Sequence, residues 1–96
     1  MFSHNFSAKE RALYLCKEME KSGFSNPIRS SSVEDESEHI ELYTKELHSV
    51  VEIMGESLSA SVYMRETHKL ISDIDIEFNV GHCIDFLKAQ YNAIHR

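Results

Sequence analysis

The stretch EHIELYTKELHSVVEIM, residues 38–54, decides how this chain is read. Its apolar residues Ile40, Tyr43, Leu47, Val50 and Met54 recur at intervals of three and four, the spacing that gathers side chains on one face of an α-helix. Leu42, Val51 and Ile53 broaden that stripe, and Glu41 with Lys45 stand one turn apart in the stabilising order on the outside. Asp35 and Glu38 suit a reciprocal cap in which each side chain satisfies the other residue's free amide, and Gly55 offers an end. The spacing predicts one amphipathic helix.

Upstream of it, SNPIRSSSVEDE, residues 25–36, has only Ile28 and Val33 as apolar anchors and predicts a mobile acidic and serine-rich loop. Before that loop, Ser7 and Glu10 match a capping box, and Ala12, Leu15, Cys16 and Met19 form a helical stripe. Gly23 tolerates a positive φ and Phe24 can fold back, so this first helix is expected to end at about Ser22.

Downstream, residues 57–80 support two readings. Leu58, Ala60, Val62 and Met64 alternate with polar neighbours, as do Ile74, Ile76 and Phe78, which is a hairpin pattern. Ala60, Met64, Thr67, Ile71 and Ile74 also step at helical spacing, and residues 66–69 lack a Gly, Asn or Pro. Strands are preferred, because a helix cannot bury both Ile76 and Phe78. After Gly81, the residues Cys83, Ile84, Leu87, Tyr91 and Ile94 mark a last helix from about His82. The expectation is a helix-rich α+β fold of order α-α-β-β-α with a short antiparallel hairpin. The alternative is an all-α four-helix bundle.

The 96 residues suit a single domain, 1–96, and a 42% hydrophobic content with one Pro and three Gly favours a folded chain. No apolar run approaches the length of a membrane span and the amino terminus lacks a secretory pattern, so a cytoplasmic location is expected, with Cys16 and Cys83 as free, buried thiols. Residues 1–32 hold five Lys or Arg against three Glu, and residues 33–96 hold five against thirteen acids, for a net charge of −6. That balance disfavours direct binding to nucleic acid and suits a basic protein partner.

Four groups of residues invite a chemical reading. Ser72-Asp73-Ile74-Asp75-Ile76 resembles the strand of nucleotidyltransferase-fold proteins whose two carboxylates share a face and hold magnesium, which implies Mg-dependent nucleotide binding by Asp73 and Asp75. The resemblance covers five residues. The family's Gly-Ser turn has no counterpart beyond Gly55-Glu56-Ser57, and no Arg-Gly pair follows, so a solvated polar face is the preferred reading. Among the six histidines, His39 with Asp35 and His48 with Glu52 would lie one helical turn apart, without a third ligand, so no metal and no cofactor is expected. His82 and Cys83, adjacent on a helix, would point about 100° apart, too far for a base to serve its nucleophile. The acids Glu34, Asp35, Glu36, Glu38 and Glu41 could imitate phosphates and block a basic nucleic-acid-binding protein.

The broad stripe at Ile40, Tyr43, Leu47, Val50 and Met54 exceeds what two helices and a hairpin would cover, which suggests partner binding or a homodimer. The expectation is a small acidic, non-enzymatic interaction protein, a regulator, inhibitor or immunity-type factor. It would bind a partner protein through that helix and the acidic surface, away from membranes.

Overall fold

Alternation, and not helical periodicity, governs residues 37–54. The computed structural model describes residues 7–94. It shows α1 (Ala8–Lys21), β1 (Ile28–Ser32), β2 (Ser37–Tyr43), β3 (Leu47–Met54), β4 (Ser57–Met64), β5 (Leu70–Glu77) and α2 (Val80–Ile94). The five strands form one antiparallel sheet in the order β1-β2-β3-β4-β5, each paired with its neighbour in sequence. The expected order α-α-β-β-α is therefore wrong, and so is the four-helix bundle.

The error has a physical origin. In an extended chain, Glu38, Ile40 and Leu42 of β2 and Leu47, Ser49, Val51 and Ile53 of β3 turn to one side, and all seven are buried. The two runs are joined by residues 44–46, so the side that faces inward keeps helical spacing by accident across the turn. Ile40 and Leu47 belong to both patterns; Tyr43, Val50 and Met54 belong only to the helical one and end on the other side. The expected cap at Asp35 and Glu38 also dissolves. Ser37 donates to Asp35 at 2.7 Å, and Glu38 turns inward to accept from Arg29 of β1 at 2.8 Å.

Residues 25–36 are corrected too. Ile28–Ser32 is the edge strand β1, in register with β2 from Ile28↔Glu41 to Ser32↔Ser37. The turns after β1, β2 and β4 use no glycine: Glu36 takes a φ of 54° and His68 one of 61°, a left-handed conformation that costs non-glycine residues energy. Only the β3–β4 turn, with Gly55 at φ 60°, carries the sequence sign of a hairpin.

Both helices lie on one face. α1 packs over β1, β2 and β3, and α2 over β4. Between them and the sheet, Ala12, Leu15 and Met19 of α1 and Cys83, Ile84, Leu87 and Tyr91 of α2 meet Ile40, Leu42, Leu47, Val51, Ile53, Leu58, Ala60 and Val62. This is a two-layer α+β sandwich with one core. The capping box at Ser7 and Glu10 is present, the first helix closes at Ser22, and Gly23 adopts φ 101°. Asn79 starts α2 by accepting the His82 amide at 2.8 Å.

Two polar contacts cross the core. The Tyr91 and Ser49 hydroxyls are 2.9 Å apart and buried, and Arg11, itself buried, donates to the Gly55 carbonyl at 2.7 Å. Burial raises the Tyr91 pKa, and the Ser49 hydrogen bond offsets part of that rise.

The register makes a test that separates strand from helix. Ile53→Ala, on the covered face, is expected to cost about 2–5 kcal/mol in denaturant unfolding, whereas Val50→Ala is expected to cost less than about 1 kcal/mol. Equal losses at both positions would contradict the alternation.

Candidate functional site: the uncovered sheet face

Among the described residues the sheet is covered on one side only, and the rows of the other side follow directly from the pairing. One row runs Tyr43, His48, Tyr63, Leu70; the next Ile28, Glu41, Val50, Ser61, Asp73; the next Ser30, His39, Glu52, Ser59, Asp75. A last row places Met54 and Ser57 beside Glu77. No described element lies over these rows.

The first row is aromatic. The Tyr43 and His48 rings stack 4.3 Å apart and 6° from parallel, the Tyr63 ring lies 6.2 Å from His48, and the Arg65 guanidinium sits 5.1 Å over Tyr43. Arg65 is held there by donating to the Thr44 carbonyl at 2.8 Å. The ladder is thus a fixed shelf of planar groups, with Tyr43 42% exposed at its rim.

Two histidine–carboxylate pairs occupy the centre. His39 Nε2 is 3.3 Å from Glu52, directly across the strands, and His48 Nε2 is 3.1 Å from Glu41, on the diagonal. Each contact is within reach of a hydrogen bond between ring nitrogen and carboxylate and ties neighbouring strands together on this face. Across all four rows stand Glu41, Glu52, Asp73, Asp75 and Glu77 with no Lys or Arg among them. The face thus combines five acids with the apolar or aromatic Ile28, Tyr43, Val50, Met54, Tyr63 and Leu70, and Arg65 stands at its border.

The expected site residues divide between the two sides of the sheet. Tyr43, Val50 and Met54 share the uncovered face, while Ile40 and Leu47 are fully buried in the core. Of the acids, Glu34, Asp35 and Glu36 lie at the β1–β2 turn, Glu41 on the open face and Glu38 inside against Arg29. They do not form one phosphate-like array. Hydrogen bonds from Ser37 and Ser32 hold the Asp35 carboxyl below its usual range. The structure adds His39, His48, Glu52, Tyr63 and Arg65, which helical spacing had scattered; period-two alternation would have collected all but Arg65.

Asp73 and Asp75 do share a face of β5, opposite Ser61 and Ser59. Among the described residues no group of three or more His, Cys, Asp or Glu stands close enough to hold a metal ion. Cys83 is fully buried, and burial pushes its thiol up to about 12, so it is no nucleophile beside His82. A concavity of about 570 Å³ opens at the other end of the helix layer, lined by Phe24, Leu42, Tyr43, Thr44, Lys88, Tyr91 and Asn92. No described helix is long and apolar enough to cross a membrane.

Comparison with protein-family models, with curated proteins and with solved structures finds no match for this chain.

The thiols give a direct check on the helix layer. Cys16 is half-buried and its pKa is raised chiefly by burial, whereas Cys83 lies in the core. Iodoacetamide at about pH 8 is expected to label Cys16 first and Cys83 only after unfolding. Equal labelling of both in the native state would refute the packing of α2. The same burial links Cys83 to pH. Its folded pKa exceeds the unfolded value, so the stability it contributes is complete below pH 9 and declines as pH rises from 9.0 towards about 12. Cys83→Ser titrated beside the parent chain would reveal this as a smaller alkaline loss.

Proposed function

We propose that this chain is a non-enzymatic binding module that takes a basic protein partner on the uncovered face of its sheet. The observation that carries the reading is the composition of that face. It sets the aromatic row Tyr43, His48 and Tyr63 at one end of the face and Met54 at the other, with Val50 and the acids Glu41, Glu52, Asp73 and Asp75 in the rows between. Protein interfaces draw affinity from aromatic anchors and orientation from charged groups placed beside them. Acids of one sign steer a basic surface in and repel an acidic one.

The same charge argues against a face-to-face homodimer, which would bring the five acids of each copy together. The original motives for a homodimer also lapse. A five-stranded sheet needs no partner to complete a marginal hairpin, and Ile40 and Leu47 are already covered. As an interaction protein the chain acts as a regulator or inhibitor by occupying a basic surface of its partner.

Crosslinking tests the reading. A photoreactive residue replacing Val50 is expected to trap a basic partner in the native host, and one replacing the exposed Lys17 on α1 is not. Tyr43→Ala with Tyr63→Ala should weaken that complex at least about tenfold, as loss of aromatic anchors does. Trapping only from Lys17 would sink the proposal.

A further inference from the structure

The sheet ends in two free edges of different chemistry. β1 is five residues long, its Arg29 is engaged with Glu38, and α1 lies over it. β5 is eight residues long, and among the described residues no strand pairs with its outer backbone groups. A register shift opposite Val62 and Tyr63 interrupts the strand at Ile71, and from Ser72 to Glu77 side chains alternate by face. Ile74 and Ile76 turn to the helix side and pack partly buried against the core, while Asp73, Asp75 and Glu77 project from the uncovered side. Leu70 and Ile71 at the start of the strand remain 47% and 37% exposed. Among the described residues neither Asp73 nor Asp75 pairs with a cation.

An unpaired edge is a template for another strand, and proteins usually defend it with charge. Here all the defending charges have one sign. They repel a second copy of β5, which would set acid against acid, and leave the edge open to a strand of opposite charge. The inner row supplies the other half of the recognition. A strand added beside Ile74 and Ile76 would extend the rim of the core, so its inward positions need to be apolar.

We propose that β5 receives an extended segment of a protein partner in which Lys or Arg alternates with apolar residues. The segment adds as a sixth strand, its cations beside Asp73, Asp75 and Glu77 and its apolar side chains continuing the row of Ile74 and Ile76. This deepens the reading above and rests on it for the sign of the partner's charge. It adds that recognition is by strand addition at an edge.

The probe is a peptide alternating Lys and Val, eight residues long to match β5. Two controls accompany it: one of equal composition with its lysines and valines in separate blocks, and one N-methylated at alternate amides. With isotope-labelled protein, the alternating peptide is expected to bind saturably and to slow exchange of β5 amides. Both controls should bind about tenfold more weakly. Asp73→Lys with Asp75→Lys should weaken binding at least about tenfold, and the near-isosteric Asp73→Asn with Asp75→Asn by less, since each favourable cross-strand charge pair is lost or reversed. Equal binding of the block peptide, or no binding of the alternating one, would overturn strand addition. Perturbation confined to Tyr43, Val50 and Tyr63 would also overturn it, while leaving the face itself as the binding surface.

Discussion

The parity of the sheet is the constraint on which the rest of this structure depends. Ile40, Val51 and Ala60 lie side by side on β2, β3 and β4 and are fully buried beneath the helices. Burying a large aliphatic side chain is worth about 1.5–3 kcal/mol. A slip of one residue in any strand would send its whole inward set to solvent. Once that row is fixed, nothing on the open face is free to vary. Tyr43, Val50 and Glu52 face outward because Leu42, Val51 and Ile53 face inward.

This parity also shows what was legible in the sequence and what was not. The helices could be read because their signals are local: the Ser7–Glu10 cap, the stripe of Ala12, Leu15 and Met19, and the glycine after Ser22 all act within a few residues. β4 and β5 could be read because Leu58, Ala60 and Val62, then Ile74 and Ile76, alternate without interruption. Residues 38–54 misled because a three-residue turn adds an odd step between two alternating runs, which aligns Ile40 with Leu47 at helical spacing. The β-branched Val50, Val51 and Ile53 favour strand over helix, and this was the signal against the helix. The edge strand β1 was hidden by its serines. A strand that contributes mostly backbone to a sheet need not have a hydrophobic pattern.

The missing glycines compounded this. Glu36 and His68 take up left-handed backbone conformations at their turns, so two hairpins carry none of the usual punctuation. Such positions persist because the pairing on either side determines them. The candidate site was obscured for the same reason as the fold. Once Tyr43 and His48 are read as facing residues on neighbouring strands, they stack, and His39 meets Glu52 across the same hairpin.

Charge and parity act together to give the molecule its polarity. The helix side gathers most of the amino-terminal cations on α1, among them Lys9, Lys17 and Lys21, while the open sheet side carries acids on β2, β3 and β5. The excess of acids over bases in residues 33–96 is therefore partly concentrated on one surface, and that surface is also where the aromatic row stands. Solubilising charge alone would not need such coincidence. Acids placed at random along alternating strands would fall as often at the inward positions, where only Glu38 is found, and Glu38 is tolerated there because Arg29 of the edge strand reaches it at 2.8 Å. The inward side thus excludes charge except where it is paired, and the outward side collects it in the rows beside the aromatic ladder.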